Sequence, residues 1–146
     1  MARSEFRFSW PLRVRYSEID AQNVVFNAHY LTYYDVAITE YLRAAGLVSL
    51  QTTPEGVFDF HVVKSTVEYR APIRFDEDIE VFCRTAPPGR SSLAFLLEIH
   101  GAGREDLRSA GEIIWVNADQ ATHRSAPIPH GFRKALSAFE AGEPAV

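Results

Sequence analysis

A single cysteine, Cys83, among 146 residues leaves no route to an intramolecular disulfide, so nothing in the chain asks for an oxidising compartment. Positive charge is also in short supply. Fifteen Lys and Arg against nineteen Asp and Glu give a formal net charge of −4. That balance argues against a general nucleic-acid binder, which needs a basic surface to neutralise phosphates, but it leaves room for a small anionic ligand held by a few cations. No apolar run approaches the ~18 residues of a membrane span. The N-terminal Met-Ala-Arg-Ser-Glu-Phe-Arg-Phe alternates charge with aromatics where a signal peptide would carry an apolar core. The expectation is a cytoplasmic, soluble protein with neither nucleic acid nor membrane as a partner.

The common catalytic signatures are missing as well. The chain has no Gly-x-Ser-x-Gly elbow, His-Glu-x-x-His, Cys-x-x-Cys or P-loop. Its five histidines, at 29, 61, 100, 123 and 130, lack ligand-like spacing, so no metal site and no cofactor are expected. Gly101-Ala-Gly103 has no third glycine and lies between two strand patterns, which makes it a hairpin turn rather than a dinucleotide loop. Cys83 alternates with charged or polar neighbours and reads as a small buried hydrophobe.

What the sequence does have is apolar bulk: 47% hydrophobic residues, with ten Phe, six Tyr and two Trp. That is enough for one domain spanning 1–146 with a real core. Leu12, Val14 and Tyr16 alternate with Arg13 and Arg15, the period of a half-buried strand over Phe6 to Tyr16, and Pro11 marks it as an edge or bulged strand. From Asn27 to Ala45 the period becomes helical. Tyr30, Leu31, Tyr34, Ala37, Ile38, Tyr41, Leu42 and Ala45 form a broad apolar arc, and Gly46 is placed to end the helix. A loop over Val48 to Gly56 precedes four strands, Val57 to Tyr69, Asp78 to Thr85, Ser92 to His100 and Arg108 to Ala118. Short connections make the last three antiparallel neighbours. An extended segment at Pro127-Ile-Pro129 and a short helix over Gly131 to Phe139 close the chain. The layer arrangement is α+β, one sheet with a long helix on one face.

Between the first strand and the long helix stands Tyr16-Ser-Glu18-Ile-Asp20-Ala-Gln-Asn23-Val-Val-Phe26-Asn27-Ala-His29-Tyr30. An acid here lies close to a helix N-terminus, where free N–H groups and the positive end of the dipole are available. On local pattern alone Asp20 reads as a turn residue or helix cap. Against a cap, it stands far ahead of Tyr30, and Asn23 suits a left-handed turn between them. An acid beside an oxyanion site is the alternative, and it would make a hydrolase.

Residues Tyr16 to Ala37 resemble the signature of hotdog-fold acyl-CoA thioesterases of the 4-hydroxybenzoyl-CoA thioesterase type. That signature has an aromatic residue, an acid, the catalytic Asp two positions later, and a Gly-[Ile/Val]-Val-aromatic step into a Tyr-rich helix. Here these are Tyr16, Glu18, Asp20, the step Val24-Val25-Phe26, and Tyr30, Tyr33 and Tyr34. Val67-Glu-Tyr-Arg-Ala-Pro72 with Asp76-Glu-Asp78, the turn Gly89-Arg90-Ser91-Ser92-Leu93 and the closing Ala126-Pro-Ile-Pro129 are similar to further family segments. The chain departs at Asn23, where the family has Gly, and at Asn27, where several members carry His or Tyr. Asn tolerates the left-handed conformation, so the turn is expected to survive.

The resemblance implies a hotdog fold, a long central helix wrapped by a five-stranded, mainly antiparallel sheet, and hydrolysis of an acyl-CoA thioester to free acid and CoA. It makes Asp20 the nucleophile or general base and gives the Asn27 amide the carbonyl oxygen to polarise. Phe26, His29 and Tyr30 would then line the acyl site. CoA phosphates need cations; by position Arg90 and Arg124 come first and Lys64 third, though each also reads as a solvated surface charge. Family assembly as a homodimer or homotetramer implies that His61, Val63 and Ser92 reach the site from a partner, and Ser91 is counted with the substrate-binding residues. Two rivals share the fold: a non-catalytic acyl-CoA-binding or regulatory protein, and an enoyl-CoA hydratase or dehydratase, for which His29 keeps the option open. Neither the acyl group nor its carrier, CoA or acyl carrier protein, is specified.

Overall fold

The computed structural model describes residues 3–47, 52–53, 56–57 and 59–142. Strand β1 (Phe8–Arg13) leads through a short helical turn at Tyr16–Glu18 to helix α1 (His29–Ala44). The expected loop over Val48 to Gly56 falls largely outside the described residues; within and just after it, β2 (Thr52–Thr53) pairs with β3 (Gly56–Val57). Four strands follow, β4 (Asp59–Tyr69), β5 (Asp78–Thr85), β6 (Ser92–Gly101) and β7 (Leu107–Ala118), and then helix α2 (His130–Glu140).

Five of these strands form one sheet in the order β1-β5-β6-β7-β4, every neighbouring pair antiparallel. The hotdog arrangement implied by the resemblance is therefore present, with α1 lying across the sheet. Pro11 sits on β1, at one edge of the sheet, where the missing N–H disrupts least. β4 is the other edge.

Alternation decides which side chains meet the helix. Ile79, Val81 and Cys83 of β5, Leu93, Phe95, Leu97 and Ile99 of β6, and Ile113 and Trp115 of β7 form one core with the inner face of α1. Cys83 is fully buried there, a packing residue as its pattern suggests. On α1 the arc lies slightly off the expected one. Leu31 is 41% exposed, whereas Tyr33 is buried, because its hydroxyl finds the carboxylate of Glu18 at 2.8 Å. At the other end Gly46, with φ of 85°, takes the left-handed conformation, and Leu47 N–H donates to Leu42 C=O at 2.8 Å, closing the helix as its sequence predicts.

Candidate active site

The segment from Ile19 to Val25 is a miniature hairpin. Ile19 and Val25 bridge, Asp20 N–H donates to Val24 C=O at 2.9 Å, and Asn23 N–H returns to Asp20 C=O at 2.9 Å. Its tip needs a left-handed residue, and Asn23 supplies it with φ of 61°. Gln22 N–H donates to Asp20 Oδ1 at 2.8 Å, which fixes the carboxylate and leaves its second oxygen without a partner among the described residues.

Two anchors set this hairpin against the rest of the molecule. On one side Val25 N–H donates to Ile73 C=O at 2.8 Å and Val24 bridges Arg74. The receiving segment is itself held by Arg108, whose carbonyl accepts the N–H groups of Arg70 and Ala71 and whose guanidinium donates to Pro72 C=O at 2.9 Å. On the other side Glu18, 5% exposed, accepts from Tyr33 and from the amide and guanidinium of Arg15. Burial pushes the Glu18 carboxyl up, but the hydrogen bonds from Arg15 and Tyr33 outweigh it and the net shift is below its ordinary value.

These anchors bring the start of α1 to the hairpin. Phe26 N–H donates to Glu18 C=O at 2.9 Å, and Phe26 C=O accepts from His29 N–H at 2.9 Å. The next amide, that of Asn27, has no partner among the described residues. A free N–H at a helix start is a donor already oriented for negative charge. Asp20, Gln22, Val24, Val25, Asn27, Tyr30, Tyr69, Arg70, Ala71 and Pro72 enclose a cleft of about 350 Å³ at this point. A second, smaller groove of about 120 Å³ runs between α1 and β4, lined by Leu31, Asp35, Ile38, Val62, Ser65, Ile113 and Trp115.

The residues singled out from sequence fall into two groups. Asp20, Asn27 and Tyr30 share the cleft, with Phe26 and His29 beside it, their rings 6.1 Å apart. The rest lie from the middle of β4 to the opposite end of the sheet. Val63 and Lys64 are exposed on β4, where Val63 is the extra residue of a bulge, and His61 Nε2 meets Asp59 at 2.8 Å. Register puts His61 opposite Val116 and Val116 opposite Ser92, so Arg90, Ser91 and Ser92 share that end. Arg124 joins them in the turn after β7, its carbonyl accepting from Asp119 N–H. Tyr69, at the cleft, pairs with Ser109, at the far end of the ladder. Tyr69 and His61 stand eight positions apart on β4, roughly 26 Å at the rise of a strand.

Sequence reasoning did not select Gln22, Tyr69, Arg70 or Pro72 as cleft residues. The last three lie in Val67-Glu-Tyr-Arg-Ala-Pro72, whose only signal was its likeness to a family segment. Among the described residues no three His, Cys, Asp or Glu stand close enough to hold a metal ion, and no helix is long and apolar enough to cross a membrane.

Known proteins share this fold. The acyl-CoA thioester hydrolase YbgC of Escherichia coli O157:H7 is 35% identical over 122 residues, which is 84% of this chain and 90% of that protein. A thioesterase from Thermus thermophilus, solved in complex with coenzyme A and Zn, superposes with a TM-score of 0.77 at 28% identity, covering 96% of this chain and 98% of that one. The 1,4-dihydroxy-2-naphthoyl-CoA thioesterase Slr0204 from Synechocystis, 21% identical, shares the fold with a TM-score of 0.81 over 89% of this chain and 95% of its own. The model of the thioesterase-like superfamily matches residues 14–136, and the chain belongs to that superfamily.

Proposed function

We propose that the protein hydrolyses acyl-CoA thioesters, releasing a free acid and CoA, with Asp20 as the attacking or activating carboxylate. One observation carries the reading: Asp20 lines the same cleft as Asn27, whose amide N–H has no partner among the described residues. A thioester carbonyl oxygen docked on that N–H gains stabilisation as charge builds on it, from a dipole that needs no reorganisation. Asp20 then either attacks the carbonyl carbon, expelling the CoA thiolate and leaving an anhydride for water to open, or takes a proton from the water that attacks. The coenzyme A substrate is supported by the activity named for the Escherichia coli relative and by the coenzyme A in the Thermus thermophilus structure.

A second copy of the chain completes the site in this reading. β4 is an uncovered edge strand, and Val62 and Val63 on it are each 59% exposed. Antiparallel pairing of β4 with its copy about the strand's middle would swing the far end of one sheet onto the cleft of the other. The partner's His61, Val63 and Ser92 would then face the acyl group, with the partner's Arg90 and Arg124 available to the CoA phosphates. Ser91 belongs to the same end, and Lys64 stands at the middle of β4. We place this single hotdog domain, residues 1–146, in the cytoplasm, where its lone buried Cys83 stays reduced.

Free-thiol release across short-chain, long-chain and aromatic acyl-CoAs, and the same acyl groups on acyl carrier protein, tests the proposal. The wild-type protein should release thiol from part of that panel, and Asp20→Asn should lose most of kcat with little change in KM. A flat response across the panel, or near-wild-type turnover by Asp20→Asn, overturns it.

A further inference from the structure

The carbonyl of Asn27 is tied down from outside the hairpin and the helix. Tyr69 ends β4, and its hydroxyl donates to the backbone carbonyl of Asn27 at 3.1 Å. Its ring stands edge-on to Tyr30, centroids 4.8 Å apart, on the wall of the cleft. The helix alone holds that carbonyl weakly: Tyr30 N–H donates to it from 3.3 Å, and α1 has no side-chain cap at its start. First helical turns fray when their end groups lack such partners. We propose that Tyr69 is a positioning residue, fixing the Asn27 carbonyl so that the amide of the same residue stays aimed at the substrate carbonyl oxygen.

The argument is one of peptide geometry. A residue's N–H and C=O are joined through its own φ and ψ, so pinning the carbonyl restricts where the amide points. From the other side Glu18 C=O fixes the Phe26 amide, and Phe26 C=O is engaged by His29 N–H. With Tyr69 in place, both peptide planes that flank Asn27 are held, and its N–H is left free to serve a ligand. Tyr69 in turn has a firm base, because the next two residues, Arg70 and Ala71, donate their amides to Arg108 C=O. An oxyanion donor is effective in proportion to how little it must reorganise, and this is the property Tyr69 supplies. Nothing in the arrangement requires the phenol to touch the reacting atoms.

The inference rests on the thioesterase reading, and Tyr69→Phe separates the two. Phenylalanine keeps the ring on Tyr30 and removes only the hydroxyl, at a position 54% exposed, so the fold is retained and the thermal midpoint checks that it is. Turnover should fall about five- to twentyfold with KM within about twofold of wild type, a smaller loss than deleting an oxyanion donor outright, which costs about 10²–10³-fold. The second readout is spectroscopic. A non-hydrolysable acyl-CoA ketone analogue, with CH₂ inserted between sulfur and a ¹³C-labelled carbonyl, reports hydrogen bonding to that carbonyl through its infrared stretch. Bound to wild type the band should shift to lower frequency, and in Tyr69→Phe it should move back toward its solution position. Unchanged kcat in Tyr69→Phe, or a loss of kcat with the band where wild type puts it, overturns the role of Tyr69 and leaves the thioesterase reading standing. A wild-type protein inert toward the whole acyl-CoA panel overturns that reading, and this inference falls with it.

Discussion

The hydroxyl of Tyr33, one turn into α1, donates to the buried carboxylate of Glu18 at 2.8 Å, and this bond ties the Ile19–Val25 hairpin to the helix that faces it. Glu18 also accepts from Arg15 through amide and guanidinium, so a full negative charge is held out of water by several donors. Its folded-state pKa is depressed, which means that its contribution to stability is present above the ordinary carboxylate value of about 4.3 and is lost as pH falls through the folded value. Glu18→Gln should therefore cost about 1.5–3 kcal/mol near neutral pH, the range for hydrogen bonds to a charged group. Urea unfolding at a series of pH values checks the sign. The gap between wild type and variant should narrow as pH drops below about 4, and a gap that holds constant into strong acid would remove the charge from the explanation.

Gly111 on β7 is a second point where one atom matters. A Cβ there would stand 2.5 Å from the backbone oxygen of Thr66 and would strike the ring of Tyr34, which is itself fully buried and bonded to Ser109. Neither neighbour has room to move, since one is strand backbone and the other is packed in the core. Gly111→Ala should destabilise by about 1–3 kcal/mol, the usual cost of overpacking. The measurement is a lower denaturation midpoint with an unchanged m-value. A variant as stable as wild type would mean that β4 and β7 part easily at this register.

Local chemistry explains which features were legible in the sequence. Asn23 could be assigned its left-handed turn, Gly46 its helix stop and Pro11 its edge strand, because each depends on that residue's own backbone preferences. The alternation around Cys83 on β5 likewise marked it as buried, since period two is a property of the chain and not of its neighbours. Tyr33 escaped the helical pattern because its burial is decided by Glu18, fifteen residues away. Tyr69 and Arg70 escaped for a stronger reason. They face Asp20 only because β4 and the hairpin meet through Ile73 and Arg108, and no short-range signal carries that contact. The two groups of candidate residues share the same limit, since their separation along β4 becomes visible only once register is known.

In the proposed reading, that separation calls for a partner. If β4 pairs with its own copy, the exposed Val62 and Val63 lie in the seam, and a charge on each should break it. Val62→Glu with Val63→Glu is expected to reduce the solution mass from a multiple of the chain to its own 16.4 kDa, read by light scattering on a sizing column. The fold should persist, because both side chains already face solvent in the isolated chain. Thioester turnover should then drop together with the mass, since Asp20 and Asn27 remain but the residues from the partner's sheet end are gone. A monomeric double variant with wild-type kcat and KM would show that one copy holds the whole site, and Arg90, Arg124, His61 and Ser92 would lose their place in it. Partial recovery of turnover at high protein concentration, following the mass, would instead link activity to pairing through mass action.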